Sequence, residues 1–146
     1  MADFRTLSDA VMASPQIAAS DLAAAKEQGI TMVVNNRPDG ESGDQPDGAI
    51  IEAAARELGL EYRAIPITSA GFSQPQVEAM TQALDAAEGK VLAYCRSGTR
   101  STFLWSLAQA HGGMKPEEIA AAAANAGYDV SPIRPAIDMF AGRASG

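Results

Sequence analysis

The chain has 146 residues, 47% of them hydrophobic, and a formal net charge of −7 at pH 7. That length suits a single α/β domain over residues 1–146 that buries about 68–70% of its unfolded surface. The acidic balance excludes nucleic acid and anionic membrane as general partners. One cysteine and one histidine allow no intrachain disulfide and no structural zinc site, and no other metal or cofactor is expected. With no recognisable signal peptide and no apolar run near the ~20 residues of a membrane span, the expected location is a reducing cytoplasm.

In chain order, residues 4–8 and 11–14 read as short strands in an edge hairpin. Ser20 reads as the N-cap of a helix over 21–28 that Gly29 stops. Ile30-Thr31-Met32-Val33-Val34-Asn35 is a β-rich apolar run of the kind buried in parallel sheets. Residues 36–48 form a loop with two turn signals, Pro38-Asp39-Gly40 and Pro46-Asp47-Gly48. Its length marks it either as a solvated acidic connection or as a functional segment. A helix over 49–58 follows, closed by Gly59, then a strand over 61–66 and a second loop over 68–72. Ser73 caps a helix that carries Pro75 in its first turn and runs to about 87. A strand over 90–94, helices over 101–111, 116–125 and 132–141, and a frayed tail over 142–146 complete the reading. Alternating strands and helices imply a mainly parallel sheet with helices on both faces. Ligands of such sheets sit beyond the carboxyl ends of the strands, so Asn35-Asn36-Arg37, Ile67-Thr68-Ser69 and Cys95 should converge there.

The chemistry centres on Tyr94-Cys95-Arg96-Ser97-Gly98-Thr99-Arg100-Ser101. A thiol at a strand end, a short glycine-containing loop and a helix start can together aim backbone N–H groups and positive partial charge at an anion. Those groups favour a thiolate, and Arg100 can hold an oxyanion with two parallel hydrogen bonds. Free cysteine is often simply buried, but a strand-end position before an anion loop favours a nucleophile. Arg100 otherwise reads as a surface arginine, though a cation at a helix N-terminus needs a partner. Gly98 gives the backbone room to turn inward, and Ser97 and Thr99 complete the anion loop. Arg96 either widens a positive rim or is solvated. Ser101 is either a thiolate partner or a helix-start residue. Arg37 reads as a substrate contact. Asp39 is a candidate proton donor, although the turn reading is slightly favoured. His111 sits about 15 Å down the helix from the loop and reads as a helix-end residue; Phe103, Leu104 and Trp105 read as packing.

Four residues separate Cys95 from Arg100, a spacing that resembles the active-site loop of rhodanese-type sulfurtransferases. Protein tyrosine and dual-specificity phosphatases place five residues there, and most carry histidine where this chain has Tyr94. Together with Asn35-Asn36-Arg37-Pro38-Asp39-Gly40 and Ile65-Pro66-Ile67, the loop resembles a bacterial family of phosphatase-like domains. These are also found fused to β-lactamase-hydrolase-like (persulfide dioxygenase) proteins, and members are often labelled sulfurtransferases. The resemblance implies a protein tyrosine/dual-specificity phosphatase-like fold and a small anionic substrate: thiosulfate, a persulfide or a phosphate ester. It also implies a thiol acceptor or a persulfide dioxygenase as partner. Sulfur transfer through a Cys95 persulfide ranks first, because sulfite leaves without an acid. Ser69 stands where similar phosphatases place an Asp, and the short loop makes a tight anion cavity. Phosphate ester hydrolysis through a phosphocysteine ranks second. A non-enzymatic anion-binding or thiol redox-sensing module is the third reading.

Overall fold

A computed structural model describes residues 3–145. Five strands, β1 (Arg5–Ser8), β2 (Val11–Ser14), β3 (Ile30–Asn35), β4 (Glu61–Ala64) and β5 (Lys90–Tyr94), form one sheet in the order β1-β2-β5-β3-β4. Only β1 runs antiparallel; β2, β5, β3 and β4 are mutually parallel. The six helices are α1 (Leu22–Glu27), α2 (Gly48–Glu57), α3 (Gln74–Ala86), α4 (Thr99–His111), α5 (Pro116–Asn125) and α6 (Arg134–Ser145). None of the described helices is long and apolar enough to cross a membrane.

The apolar strand runs follow from burial on both faces. Along β5, Val91 and Ala93 face a core built from α3, α4, α5 and α6, while Leu92 and Tyr94 face a second core with α1 and α2. The side-chain period of two sends alternate residues to opposite faces, so a strand buried on both has no polar side to show. α4 is buried nearly all round, including Trp105, Leu104 and Ser106, as expected of a helix that is not amphipathic. Two of its buried hydroxyls are satisfied locally: Thr102 Oγ1 donates to the Gly98 carbonyl and Ser106 Oγ to that of Thr102, both at 2.8 Å.

Several element ends differ from the sequence reading. Ser20 does not cap α1. It lies in a 3₁₀ turn over Ala19–Asp21, and Asp21 Oδ2 instead accepts the Ala18 N–H at 2.8 Å. β4 stops at Ala64, because Pro66 has no N–H for the ladder; beyond it the Ile65 and Ile67 N–H groups donate to the Asn35 and Asn36 carbonyls. α4 starts at Thr99, so Arg100 belongs to the helix's first turn. α6 continues through Gly142 to Ser145, where a frayed tail was expected; Gly146 lies outside the described residues. The edge hairpin is present, but β2 is an inner strand beside β5, which brings its end to the loop after Cys95.

Candidate active site

Cys95 follows β5, the central strand, between the ends of β2 and β3. Its N–H donates to the Ser14 carbonyl at 3.3 Å, the Gln16 N–H donates to the Arg96 carbonyl at 3.2 Å, and the Asn36 N–H donates to the Tyr94 carbonyl at 2.9 Å. The convergence expected from strand topology is therefore present. Gly98 then takes φ +92° as the residue before α4, which turns its N–H onto Cys95 Sγ at 3.1 Å. Tyr128 supports the loop from behind, with its hydroxyl donating to the Ser97 carbonyl at 3.2 Å.

A side chain at Gly98 would meet this support. An added Cβ would overlap Tyr128 Oη and lie 2.9 Å from Tyr128 Cζ. Gly98→Ala is expected to lower stability by more than the roughly 1–2 kcal/mol of a left-handed non-glycine residue, since Tyr128 must also move. Denaturant unfolding checks this; a smaller loss would show that Tyr128 gives way freely.

Arg100 sends its guanidinium to the same place. Nη1 donates to Glu41 Oε2 and to the Ile67 carbonyl, and Nη2 donates to Glu41 Oε1, each at 2.8 Å. A two-pronged carboxylate pair of this kind is strong and directional, and it answers the repulsion between a cation and the α4 N-terminus. Glu41 and, more weakly, the nearby Cys95 hold Arg100 more firmly protonated than usual.

Arg37 is 5% exposed and sits inside the loop between β3 and α2. Its Nε donates to Glu41 Oε1 at 2.9 Å, Nη1 to Gln16 Oε1 at 3.0 Å and Nη2 to Ser42 Oγ at 3.1 Å. The sequence suggested a substrate contact; the structure instead gives all three guanidinium nitrogens protein partners. The loop is wound around this side chain, with Gln45 Nε2 donating to the Pro38 carbonyl and Gln45 Oε1 accepting the Glu41 N–H.

Glu41 thus stands between two guanidinium groups, Arg100 first and Arg37 second, which hold its carboxyl at about 2 against an ordinary 4.5. A carboxylate with a depressed folded pKa stabilises the fold above its unfolded pKa and loses that contribution as pH falls. Glu41→Gln is therefore expected to lower the melting temperature at pH 7. The gap to wild type should close as pH drops from 4.5 towards about 2. A gap independent of pH across that window would show that charge pairing is not its source.

The remaining loop residues are placed as follows. Ser101 does not meet the thiol: its buried Oγ donates to Asn36 Oδ1 at 2.7 Å, and Asn36 Nδ2 donates to the Ile65 carbonyl at 3.0 Å. This buried relay ties α4 to the ends of β3 and β4. Thr99 N–H turns to Ser97 Oγ at 3.3 Å, and Ser97 Oγ donates to Thr99 Oγ1 at 3.0 Å, so the amide shown on the sulfur is that of Gly98. Arg96 and Ser97 are exposed; Arg96 lines a cavity of about 190 Å³ with Gln16, Arg37 and Asp44. Asp39 takes the turn reading: its Oδ1 accepts the Gly48 N–H at 2.8 Å, where a carboxylate suits the N-terminus of α2. It lines a cavity with Tyr62 and Glu52, apart from the one at Arg100. Phe103, expected in packing, also lines the Arg100 cavity of about 400 Å³ with Phe72, Thr68 and Ser69. Sequence reasoning passed over Glu41, Gln16 and Tyr128. An acidic residue four positions after Arg37 in a long loop was the one available hint.

The parallel sheet, its helices on both faces and the Cys–Arg loop at the end of the central strand define a protein tyrosine phosphatase-like α/β protein. The chain belongs to the phosphatase-like domain family of beta-lactamase hydrolase-like proteins, matching it over residues 3–112. It is 36% identical over 104 residues to a beta-lactamase hydrolase-like protein of Xylella fastidiosa, covering 70% of this chain and 24% of that one; it thus spans about a quarter of that relative's length. A candidate phosphatase from Neisseria meningitidis has a similar structure, with TM-score 0.82, 34% identity and coverage of 93% of this chain and 96% of that one. P. aeruginosa TpbA shares the fold at TM-score 0.68 and 16% identity, covering 99% of this chain and 92% of that one. The family and the Neisseria structure are phosphatase-like, which fits the second sequence reading, phosphate ester hydrolysis, better than sulfur transfer.

Proposed function

We propose that this domain is a cysteine-dependent hydrolase of phosphate monoesters, with aryl esters preferred. The observation that carries the reading is the meeting of Cys95 Sγ, the Gly98 N–H and the Arg100 guanidinium beyond β5, in a chain of a phosphatase-like family. The Cys95 thiolate attacks phosphorus, the phosphorus–oxygen bond to the leaving group breaks, and the leaving oxygen takes the electron pair. Gly98 N–H and Arg100 stabilise the charge on the phosphoryl oxygens. Water then attacks the phosphocysteine, the sulfur–phosphorus bond breaks, and inorganic phosphate and the thiolate are regenerated.

The preference for aryl esters rests on proton supply. Asp39 is bonded to the Gly48 N–H and lines a cavity apart from the one at Arg100, and Glu41 stays ionised down to about 2, so neither carboxyl is set to protonate a leaving group there. Esters whose leaving group needs no proton are favoured, and the Phe72 and Phe103 rings, 6.2 Å apart beside Arg100, offer an aryl group an apolar wall. The same lack of an acid favours a second reading, sulfur transfer from thiosulfate, in which Cys95 takes the outer sulfur and sulfite departs with the electron pair.

A series of aryl phosphates with phenols of increasing pKa tests the first reading. A steep fall in kcat/KM along the series is expected, with p-nitrophenyl phosphate hydrolysed faster than alkyl phosphates. Thiocyanate formation from thiosulfate and cyanide, without any phosphate release, would replace it with the second.

A further inference from the structure

We infer that Glu41 is a tethered competitor of the anionic substrate, a residue that sets how strongly an anion must bind before it reaches Arg100 and Cys95. The inference rests on the anion-site reading of Arg100 but not on which reaction follows. Three features of the structure carry it.

First, both Glu41 oxygens already occupy the donors that a substrate oxyanion would take, Oε2 on Arg100 Nη1 and Oε1 on Arg100 Nη2. A planar carboxylate on a guanidinium fork satisfies the geometry that a two-oxygen edge of phosphate or sulfate would satisfy. The seat is therefore filled by the protein itself. Second, Cys95 is 0% exposed, and the cavity beside Arg100 is walled by Glu41 and Thr99 without reaching the sulfur. In this arrangement a reagent meets Glu41 before it meets the thiol. Third, Glu41 has somewhere to go. Its Oε1 also accepts from Arg37 Nε, and Arg37 is anchored independently by Gln16 and Ser42. An incoming anion can take Arg100 while Glu41 keeps its second cation, so displacement does not strand a charge. The chain carries a net charge of −7, so the two arginines form a local cation pair that would otherwise hold a small oxyanion. A carboxylate on a folded loop is present at high effective concentration and screens out weak ligands.

The alternative role for Glu41 is a brace that points Arg100 at the substrate and stays put when it binds. The two roles give opposite signs. The test follows Cys95 alkylation by neutral iodoacetamide in the intact chain, with and without inorganic sulfate, and requires no turnover. For Glu41→Gln, alkylation is expected to be about 10-fold faster or more than wild type, and protection by sulfate to appear at concentrations about 10-fold lower, a change of ~1.4 kcal/mol in anion affinity. Glu41→Asp keeps the charge but is one methylene shorter, and should move in the same direction. Unchanged or slower alkylation, or weaker sulfate protection, in a folded variant would establish the brace and overturn the inference. Should both variants fail to fold, wild type labelled at its glutamate carboxyl carbons decides the matter. Sulfate should shift the Glu41 signal as its partner changes, and a signal unmoved at saturating sulfate overturns the inference. A domain that hydrolyses no phosphate ester but shows the alkylation effect would lose the proposed reaction and keep this gate.

Discussion

Cys95→Ser is expected to remove p-nitrophenyl phosphate turnover by roughly 10⁴-fold or more, the scale seen when a covalent nucleophile is deleted. The fold should survive. The side chain is buried and accepts one hydrogen bond, from the Gly98 N–H, and a hydroxyl oxygen can accept that bond at shorter range. The substitution therefore separates chemistry from structure. A hydroxyl is ionised far less than a thiol near neutrality and is a weak nucleophile without an adjacent general base. Rapid-quench mass spectrometry of wild type should show a phosphorylated protein that the serine variant lacks. Turnover within tenfold of wild type in Cys95→Ser would remove this residue from the mechanism, whatever the family resemblance.

The second large effect concerns Arg100. Replacement by alanine is expected to lower kcat/KM by about 10³-fold, since losing one preorganised donor to a developing oxyanion costs about 10²–10³ and this side chain offers two. Lysine should rescue little of it. An ammonium is a point charge and cannot replace the fork that now spans Glu41 Oε1 and Oε2. The alanine variant carries a second signature, independent of catalysis. Arg100 is the first cause of the depressed Glu41 pKa, so its removal should raise that pKa from about 2 towards 4.5, measurable by carboxyl-carbon NMR titration. A catalytic loss without that shift would mean that the pairing seen in the structure does not persist in solution.

The parts of this site that could be read from the chain are those built from neighbours in sequence. β5, Cys95, Gly98 and α4 form one continuous strand–loop–helix unit, and its apolar run, its glycine and its helix start each constrain the backbone within a few residues. The placement of Asn36 and Ile67 beside it was also accessible, because parallel α/β sheets bring strand carboxyl ends together. What escaped was set by partners far apart in the chain. Glu41 meets Arg100 across 59 positions, and Ser101 meets Asn36 across 65. Ser101 reads as a thiolate partner or helix-start residue and Arg37, past the end of β3, as a substrate contact, but both find protein acceptors first. Buried donors are seldom left unpaired. β2 was recognised as a strand, yet its four residues carry no signal for a position beside β5, and Gln16 arrives at Arg37 only through that pairing.

Local sequence determined that a lone thiol would stand on a turn at the mouth of a parallel sheet, since strand burial, a left-handed glycine and helix initiation are short-range preferences. Tertiary structure decided what faces that thiol. The order of strands and the winding of the β3–α2 loop around Arg37 select which charges become neighbours, and electrostatic pairing depends on distance through space, to which separation along the chain is no guide.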